Sequence, residues 1–214
     1  MHPSDPTIDY NLSFTAASLR PELARIVAEC FLARGDWALA KEHILSTNAL
    51  QCRSTSSAVR LERELRQRLE TLTRDQIVLL AEATVEDRTA IAWLSICKHS
   101  RFVFEFAAEA LRDKLVAHDP TLRPSDYESY VENKSLAHPG LARLTPSSKT
   151  KIRRVLLTML TEAGLLVSGP TGSTRAIQRP ALSPAVVRVI TSDNRHWLAG
   201  FLVPDAEVAG QSPP

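Results

Sequence analysis

The stretch "SSKTKIRRVLLTML", Ser147 to Leu160, decides the reading of the fold: four cations, Lys149, Lys151, Arg153 and Arg154, fall within six residues, and the chain then turns apolar. At about 100° per residue, Ile152, Val155, Leu156, Met159, Leu160 and the following Ala163 form one stripe, which must face a core. The opposite side presents Ser147, Thr150, Lys151, Arg154 and Thr158. Hydroxyls and cations without a carboxylate among them suit a phosphate-rich groove, where cations displace condensed counterions and the helix dipole adds positive potential at the N-terminus. Thr145 stands where an N-cap belongs, ahead of Pro146, and Gly164 can stop the helix in a left-handed conformation.

The flanking sequence gives this helix a setting. Upstream, a helix starting at Ser125 or Asp126 carries Tyr127, Tyr130 and Val131 and is broken by "HPG" at 138–140. Downstream, "LLVSGPTGSTRAIQ" reads as a short β-hairpin, two apolar-rich arms around a Gly, Pro and Ser turn. Helix, short break, helix and hairpin is the layout of a winged helix-turn-helix, whose second helix enters the major groove while flanking elements hold the backbone.

The pattern occurs twice. "SSAVRLERELRQRL" from Ser56 aligns with the stretch from Ser147 at a constant offset of 91 residues, without gaps. Ser56, Ser57, Arg60, Leu61, Arg63, Leu65 and Leu69 match Ser147, Ser148, Lys151, Ile152, Arg154, Leu156 and Leu160. The Ser, basic and Arg positions recur at i, i+4 and i+7, one side of a helix. Each copy also has an Asp followed by an aromatic at the start of the preceding helix, Asp36–Trp37 and Asp126–Tyr127. An arginine-rich helix can equally be a solvated face, and in the first copy Glu62, Glu64 and Glu70 are spaced to pair with Arg66 or Arg68.

Elsewhere the periodicity is mostly helical. Ser13 or Ser18 is a candidate cap for a first helix with Pro21 in its first turn, ended by Gly35. Asp36 caps a second helix, and one of Ser54 to Ser57 a third that ends near Leu72. Further helices are expected over about 74–83, 85–99 and 102–116, the last two apolar on more than one face and therefore central. "SPAVVRVITS" gives a last short helix. The expectation is a mainly α, compact multi-helix protein with two helix-turn-helix units. They span residues 1–83 and, winged, 119–203, with central buried helices at 84–118 and a tail at 204–214.

The bulk balance of +2 over 214 residues argues neither for nor against a polyanionic partner, but its distribution does. Between Asn133 and Ser192 the only acid is Glu162, against nine bases, so this window carries +8 and the rest of the chain −6. Cys30, Cys52 and Cys97 form no CxxC pair, which indicates neither a disulfide frame nor a cysteine zinc site. The first ten residues lack the basic and apolar parts of a signal peptide, and no apolar run approaches the roughly 20 residues of a membrane helix. A soluble, cytoplasmic chain with reduced thiols follows.

Catalytic constellations are poorly supplied. The histidines are scattered, and "KEHIL" lacks the second His of a zinc-binding helix. "GPTGST" at 169–174 has no Lys and its glycines are too close for a phosphate-binding loop, so a hairpin turn explains it. Glu105 and Glu109 lie one turn apart but have no evident base, nucleophile or metal beside them, and read as a polar edge on a buried helix. Trp93, Phe102, Phe104 and Phe106 read as core.

Several blocks in order, "LSFTAASL", "DWALAKEHILSTNALQCRSTSSAVRLERELRQRL", "AWLSICKHSRFVFEFAAEALRDK", "HPGLARLTPSSKTKIRRVLLTMLTEAGLL" and "LSPAVVRVI", resemble the BrxA family of BREX bacteriophage-exclusion systems over nearly the whole chain. The resemblance implies a compact α-helical protein with helix-turn-helix elements, a double-stranded DNA-binding role within a phage-defence operon and no enzymatic activity. The wing "VSGPTGSTRAIQRP" is fairly long and its tip chemistry need not match other members. The expected function is thus a non-catalytic, cofactor-free DNA-binding accessory. Its expected contacts are Ser56, Arg60 and Arg63 in the first unit, Ser147, Thr150, Lys151, Arg153 and Arg154 in the second, and Arg175 and Arg179 on the wing. Expected partners are duplex DNA and other BREX subunits, with no metal and no membrane, and two reading units in one chain do not require a partner copy. The alternative is a helical adaptor whose basic face docks acidic proteins of the defence complex.

Overall fold

Local signals set most helix ends in the computed structural model, which describes residues 10–169 and 172–206. Helix α1 spans Pro21–Arg34 and stops at Gly35, whose φ of 70° is the left-handed conformation that glycine adopts without a Cβ clash. The Asp36 carboxylate caps α2 (Trp37–Ser46) by accepting from the amides of Ala38 and Leu39. Helix α3 spans Thr55–Leu69, ending one turn before the expected Leu72, and α4 (Arg74–Glu82) opens on a reciprocal Thr73–Gln76 capping box. Helix α5 spans Val85–His99. Next come α6 (Arg101–Glu105), a π-helical stretch from Phe106 to Leu111 and α7 (Arg112–Val116). Then follow strand β1 (Thr121–Leu122), α8 (Pro124–Ala137), the single turn α9 (Pro139–Ala142) and α10 (Pro146–Glu162). Strands β2 (Leu166–Ser168) and β3 (Arg175–Ile177) lead to α11 (Pro184–Asn194), and a 3-10 stretch covers Arg195–Phe201.

Two helix starts differ from the sequence expectation. Neither Ser13 nor Ser18 caps α1: the cap position is Arg20, with φ 51° and no side-chain cap. The residue before a proline is disfavoured in the right-handed helical region, and the Ser18 carbonyl is taken by the Arg68 guanidinium at 2.8 Å. Helix α8 begins at Pro124, before Ser125, and the Asp126 carboxylate reaches back to accept from the Arg123 amide at 2.7 Å.

The chain divides into two compact units, neither of them continuous in sequence. One, here the α3 unit, comprises Ala16–His99 and Ala181–Leu198; the other, the α10 unit, takes the chain up to Thr15, Ser100–Pro180 and the chain from Ala199. The expected segments 1–83, 84–118 and 119–203 are consecutive, whereas here α5 belongs to one unit and α6 and α7 to the other.

In the α3 unit, α1 packs on α2, α3, α4 and α5, and α11 on α4 and α5. Every residue from Ile91 to Cys97 is buried, with Trp93 at 0% exposure. In the α10 unit the same is true from Phe102 to Ala108. The rings of Phe102 and Phe106 meet Phe14, Tyr10, Tyr127 and Tyr130 at centroid separations of 5.1–6.4 Å. Ile152, Leu156, Met159 and Leu160 of α10 are buried as the stripe required, while Val155 and Ala163 are half-buried.

The expected hairpin is present, β2 pairing antiparallel with β3 (Leu166 opposite Ile177, Ser168 opposite Arg175). Strand β1 pairs with the other edge of β3, Thr121 opposite Ala176, giving a three-stranded sheet in the order β1-β3-β2. Two residues are too short for an alternating signal, so β1 has no sequence signature.

Candidate nucleic-acid interface

The front of α10 is built by its cap. Thr145 Oγ1 accepts from the Ser148 amide at 3.2 Å and lies 3.2 Å from Ser147 Oγ, so both serines are drawn into the first turn. Ser54 does the same for α3, accepting from the Ser57 amide at 3.3 Å and lying 3.3 Å from Ser56 Oγ. Ser54 and Thr145 stand at the same 91-residue offset as the aligned helices, so the repeat extends two residues further upstream than the matched sequence. The signal was there: a hydroxyl three residues before a serine amide.

Beyond the cap, Lys151 and Arg154 are exposed and their side chains make no ion pair with any described residue. Thr150 is exposed on the same side, and its hydroxyl donates to the Pro146 carbonyl at 3.0 Å. Arg153 differs. Its Nη1 lies 3.4 Å from Glu128 of α8 and its guanidinium 5.5 Å from the Tyr127 ring centroid, on a groove of about 490 Å³ also lined by Val131, Lys149 and Thr150. Lys151 and Arg154, on the face that the sequence reads as free of carboxylates, thus stay unpaired among the described residues, whereas Arg153 finds Glu128, which lies before the acid-poor window.

Helix α3 shows how its charges are divided. Arg66 pairs with Glu62 at 2.8 Å and Glu70 at 2.7 Å, and Arg68 with Glu64 at 2.7 Å, the local pairing that the spacing allows. Arg68 is moreover 2% exposed and donates to the carbonyls of Ala17 and Ser18, which fastens α3 to the segment ahead of α1. The two arginines of the repeat, Arg60 and Arg63, are exposed and unpaired among the described residues, and Ser56 is exposed beside them.

The β2–β3 hairpin contributes less open charge than its sequence suggests. Arg175 on β3 is half-buried, and its Nη1 donates to the carbonyls of Thr174 at 3.1 Å and Gly172 at 3.4 Å. Arg179, just past β3, is exposed. Residues 170 and 171 of the expected hairpin turn lie outside the described residues, as do the first nine residues and the tail from 207.

Sequence reasoning missed one charged cluster. Glu105 is not a polar edge: it is 9% exposed, accepts from the Tyr10 hydroxyl, pairs with Arg101, and lies 2.7 Å from the Lys134 ammonium, which also holds Glu109 at 2.8 Å. Burial pushes the Glu105 carboxyl up, but hydrogen bonds from Lys134, Tyr10 and Arg101 outweigh it and leave it below its ordinary value. The buried His138 ring lies 4.0 Å from that of Tyr10. Apart from Arg101, one turn before Glu105, these partners come from as far as 95 residues away, so no spacing rule could assemble them. The cluster is internally neutralised and structural in kind. Among the described residues no group of three or more His, Cys, Asp or Glu could hold a metal ion, and no helix is long and apolar enough to cross a membrane.

With this geometry in view, comparison with known proteins gives a family. The sequence signature of BrxA matches residues 8–194, most of the chain. The chain belongs to the BrxA family. A BREX protein BrxA from Escherichia coli is 29% identical over 167 residues, covering 78% of this chain and 77% of the relative. A BREX protein BrxA from Bacillus cereus is also 29% identical, over 150 residues, 70% of this chain and 74% of the relative. An uncharacterized protein from Magnetospirillum magneticum shares the fold, with a TM-score of 0.77 over 91% of this chain and 98% of that one, at 19% identity. Membership in BrxA, a family of BREX phage-defence systems, agrees with the resemblance carried by the ordered sequence blocks and covers both aligned helices.

Proposed function

We propose that this BrxA-family chain is a non-catalytic accessory that binds double-stranded DNA through two helix-turn-helix units. In this reading α3 is the recognition helix of one unit. Helix α10 is that of the other, a winged unit made by α8, α9, α10 and the β1-β3-β2 sheet. One observation carries the reading: Lys151 and Arg154 stand exposed, without a carboxylate partner among the described residues, on a helix whose other side is buried core. Free cations aligned along one side of a helix are matched by a row of phosphates, where each displaces a condensed counterion. Arg60 and Arg63 repeat the arrangement at the same offset. Arg179 and Lys149 are further phosphate contacts, and Arg153 joins them only by leaving Glu128. The subunit works with other BREX proteins, needs no metal or cofactor for binding, and acts in the cytoplasm.

The test is the salt dependence of duplex binding. Removing a cation that neutralises one phosphate lowers the slope of log K against log salt by about 0.9 on duplex DNA, so the double change of Lys151 and Arg154 to Ala should lower it by about 1.8 and weaken binding throughout. A folded double variant with unchanged duplex affinity and slope would reject the proposal and return the basic face to the adaptor reading, in which it docks an acidic protein surface.

A further inference from the structure

In the pattern that α3 and α10 repeat, one position exposed in both helices offers neither charge nor a spare donor. It is Val59 in α3 and, 91 residues on, Thr150 in α10. Val59 is 38% exposed, at i+3 from Ser56 and flanked by Arg60 and, one turn on, Arg63. Thr150 is flanked in the same way by Lys151 and Arg154, and its hydroxyl proton is committed to the Pro146 carbonyl at 3.0 Å. Both helices therefore present a β-branched methyl group amid cations that are unpaired among the described residues.

A methyl group beside cations on an exposed helix face has no favourable partner in water. A duplex supplies both halves of the complement. Phosphates on either side of the major groove meet the cations, and the apolar group on the base edges between them is the C5 methyl of thymine. We propose that Val59 and Thr150 are specificity-determining residues that pack on thymine methyl groups, biasing this chain toward duplexes with A·T pairs under both helices. The inference rests on the DNA-binding reading above and adds to it a base preference and the atoms that create it. Ser56 and Ser147, tied to the caps Ser54 and Thr145, hold the first turns rather than read bases.

The experiment compares an alternating A·T duplex with the same duplex in which every thymine is replaced by deoxyuridine, which deletes only the C5 methyl. Binding is followed by fluorescence anisotropy for the unmodified protein, Val59→Ala and Thr150→Ser, with circular dichroism to verify folding. Each methyl contact is worth about fourfold in affinity, so the unmodified protein should prefer the thymine duplex by roughly fourfold to fifteenfold. Val59→Ala should lose about fourfold of that preference while keeping the salt slope, because no cation is removed. Thr150→Ser keeps the hydroxyl and should lose a similar factor. Equal binding of both duplexes by the unmodified protein, with a normal salt slope, would overturn this inference and leave the DNA-binding reading standing. A preference retained in full by both variants would assign it to duplex shape and overturn the inference as well. Failure to bind either duplex would remove both.

Discussion

Deleting the guanidinium of Arg68 should destabilise the α3 unit far more than deleting any exposed arginine. In Arg68→Met the apolar stem is kept. The Glu64 carboxylate, 7% exposed, is left without its partner at 2.7 Å, and the carbonyls of Ala17 and Ser18 lose their donors at 2.9 and 2.8 Å. Removing one member of a buried ion pair costs about 3–5 kcal/mol because the other charge remains buried. The two missing hydrogen bonds add about 0.5–1.5 kcal/mol each, which puts the loss near 4–8 kcal/mol, a large part of the roughly 5–15 kcal/mol that holds a domain together. Urea unfolding followed by tryptophan fluorescence is the assay, since Trp37, Trp93 and Trp197 all belong to the α3 unit. Arg25→Met is the control, because Arg25 pairs with Glu22 and Glu29 at the surface and such pairs are worth about 1 kcal/mol or less. Glu64→Leu combined with Arg68→Met should recover much of the loss, the stranded charge being gone. A loss in Arg68→Met no greater than in Arg25→Met would refute the claim that this pair fixes α3.

Three further outcomes are expected. All three tyrosines, Tyr10, Tyr127 and Tyr130, lie in the α10 unit, and burial raises each phenol, Tyr127 to about 12 and the others further. Ultraviolet titration should therefore show little tyrosinate at pH 11. The folded values exceed the unfolded one, so this stability is complete below pH about 10 and is lost as pH rises beyond it; full ionisation in the folded protein at pH 11 would contradict the buried placement. The Glu105 carboxyl is held below its ordinary value, so its contribution is present above the normal glutamate range and lost as pH falls through the folded value. Lys134→Met should shift acid unfolding to higher pH and destabilise the protein by about 1–3 kcal/mol, and an unchanged acid midpoint would show that the ammonium does not hold Glu105. Cys97 is fully buried, which pushes its thiol up, so a disulfide reagent should leave it unmodified in the native protein and react with it on unfolding; native labelling at Cys97 would contradict its burial.

What the sequence determined by itself is what neighbours along the chain decide. Helix α10 was legible from its stripe, Thr145, Pro146 and Gly164, since a helix period and a cap involve residues within a turn of one another. The aligned serines, leucines and cations of α3 and α10 were legible for the same reason, as were the Arg66–Glu62, Arg66–Glu70 and Arg68–Glu64 pairs one turn apart. Tertiary structure decided which charges remain free. Arg153 meets Glu128, 25 residues away, while Lys151 and Arg154 in the same cluster meet no carboxylate among the described residues. It also buried Arg68 on the carbonyls of Ala17 and Ser18, made Glu105 the hub of a cluster rather than a polar edge, and added β1 to the sheet of the β2–β3 hairpin. Whether a charge is neutralised or offered to a ligand depends on what lies within a few ångströms in space, and chain order fixes that only for partners one helical turn apart.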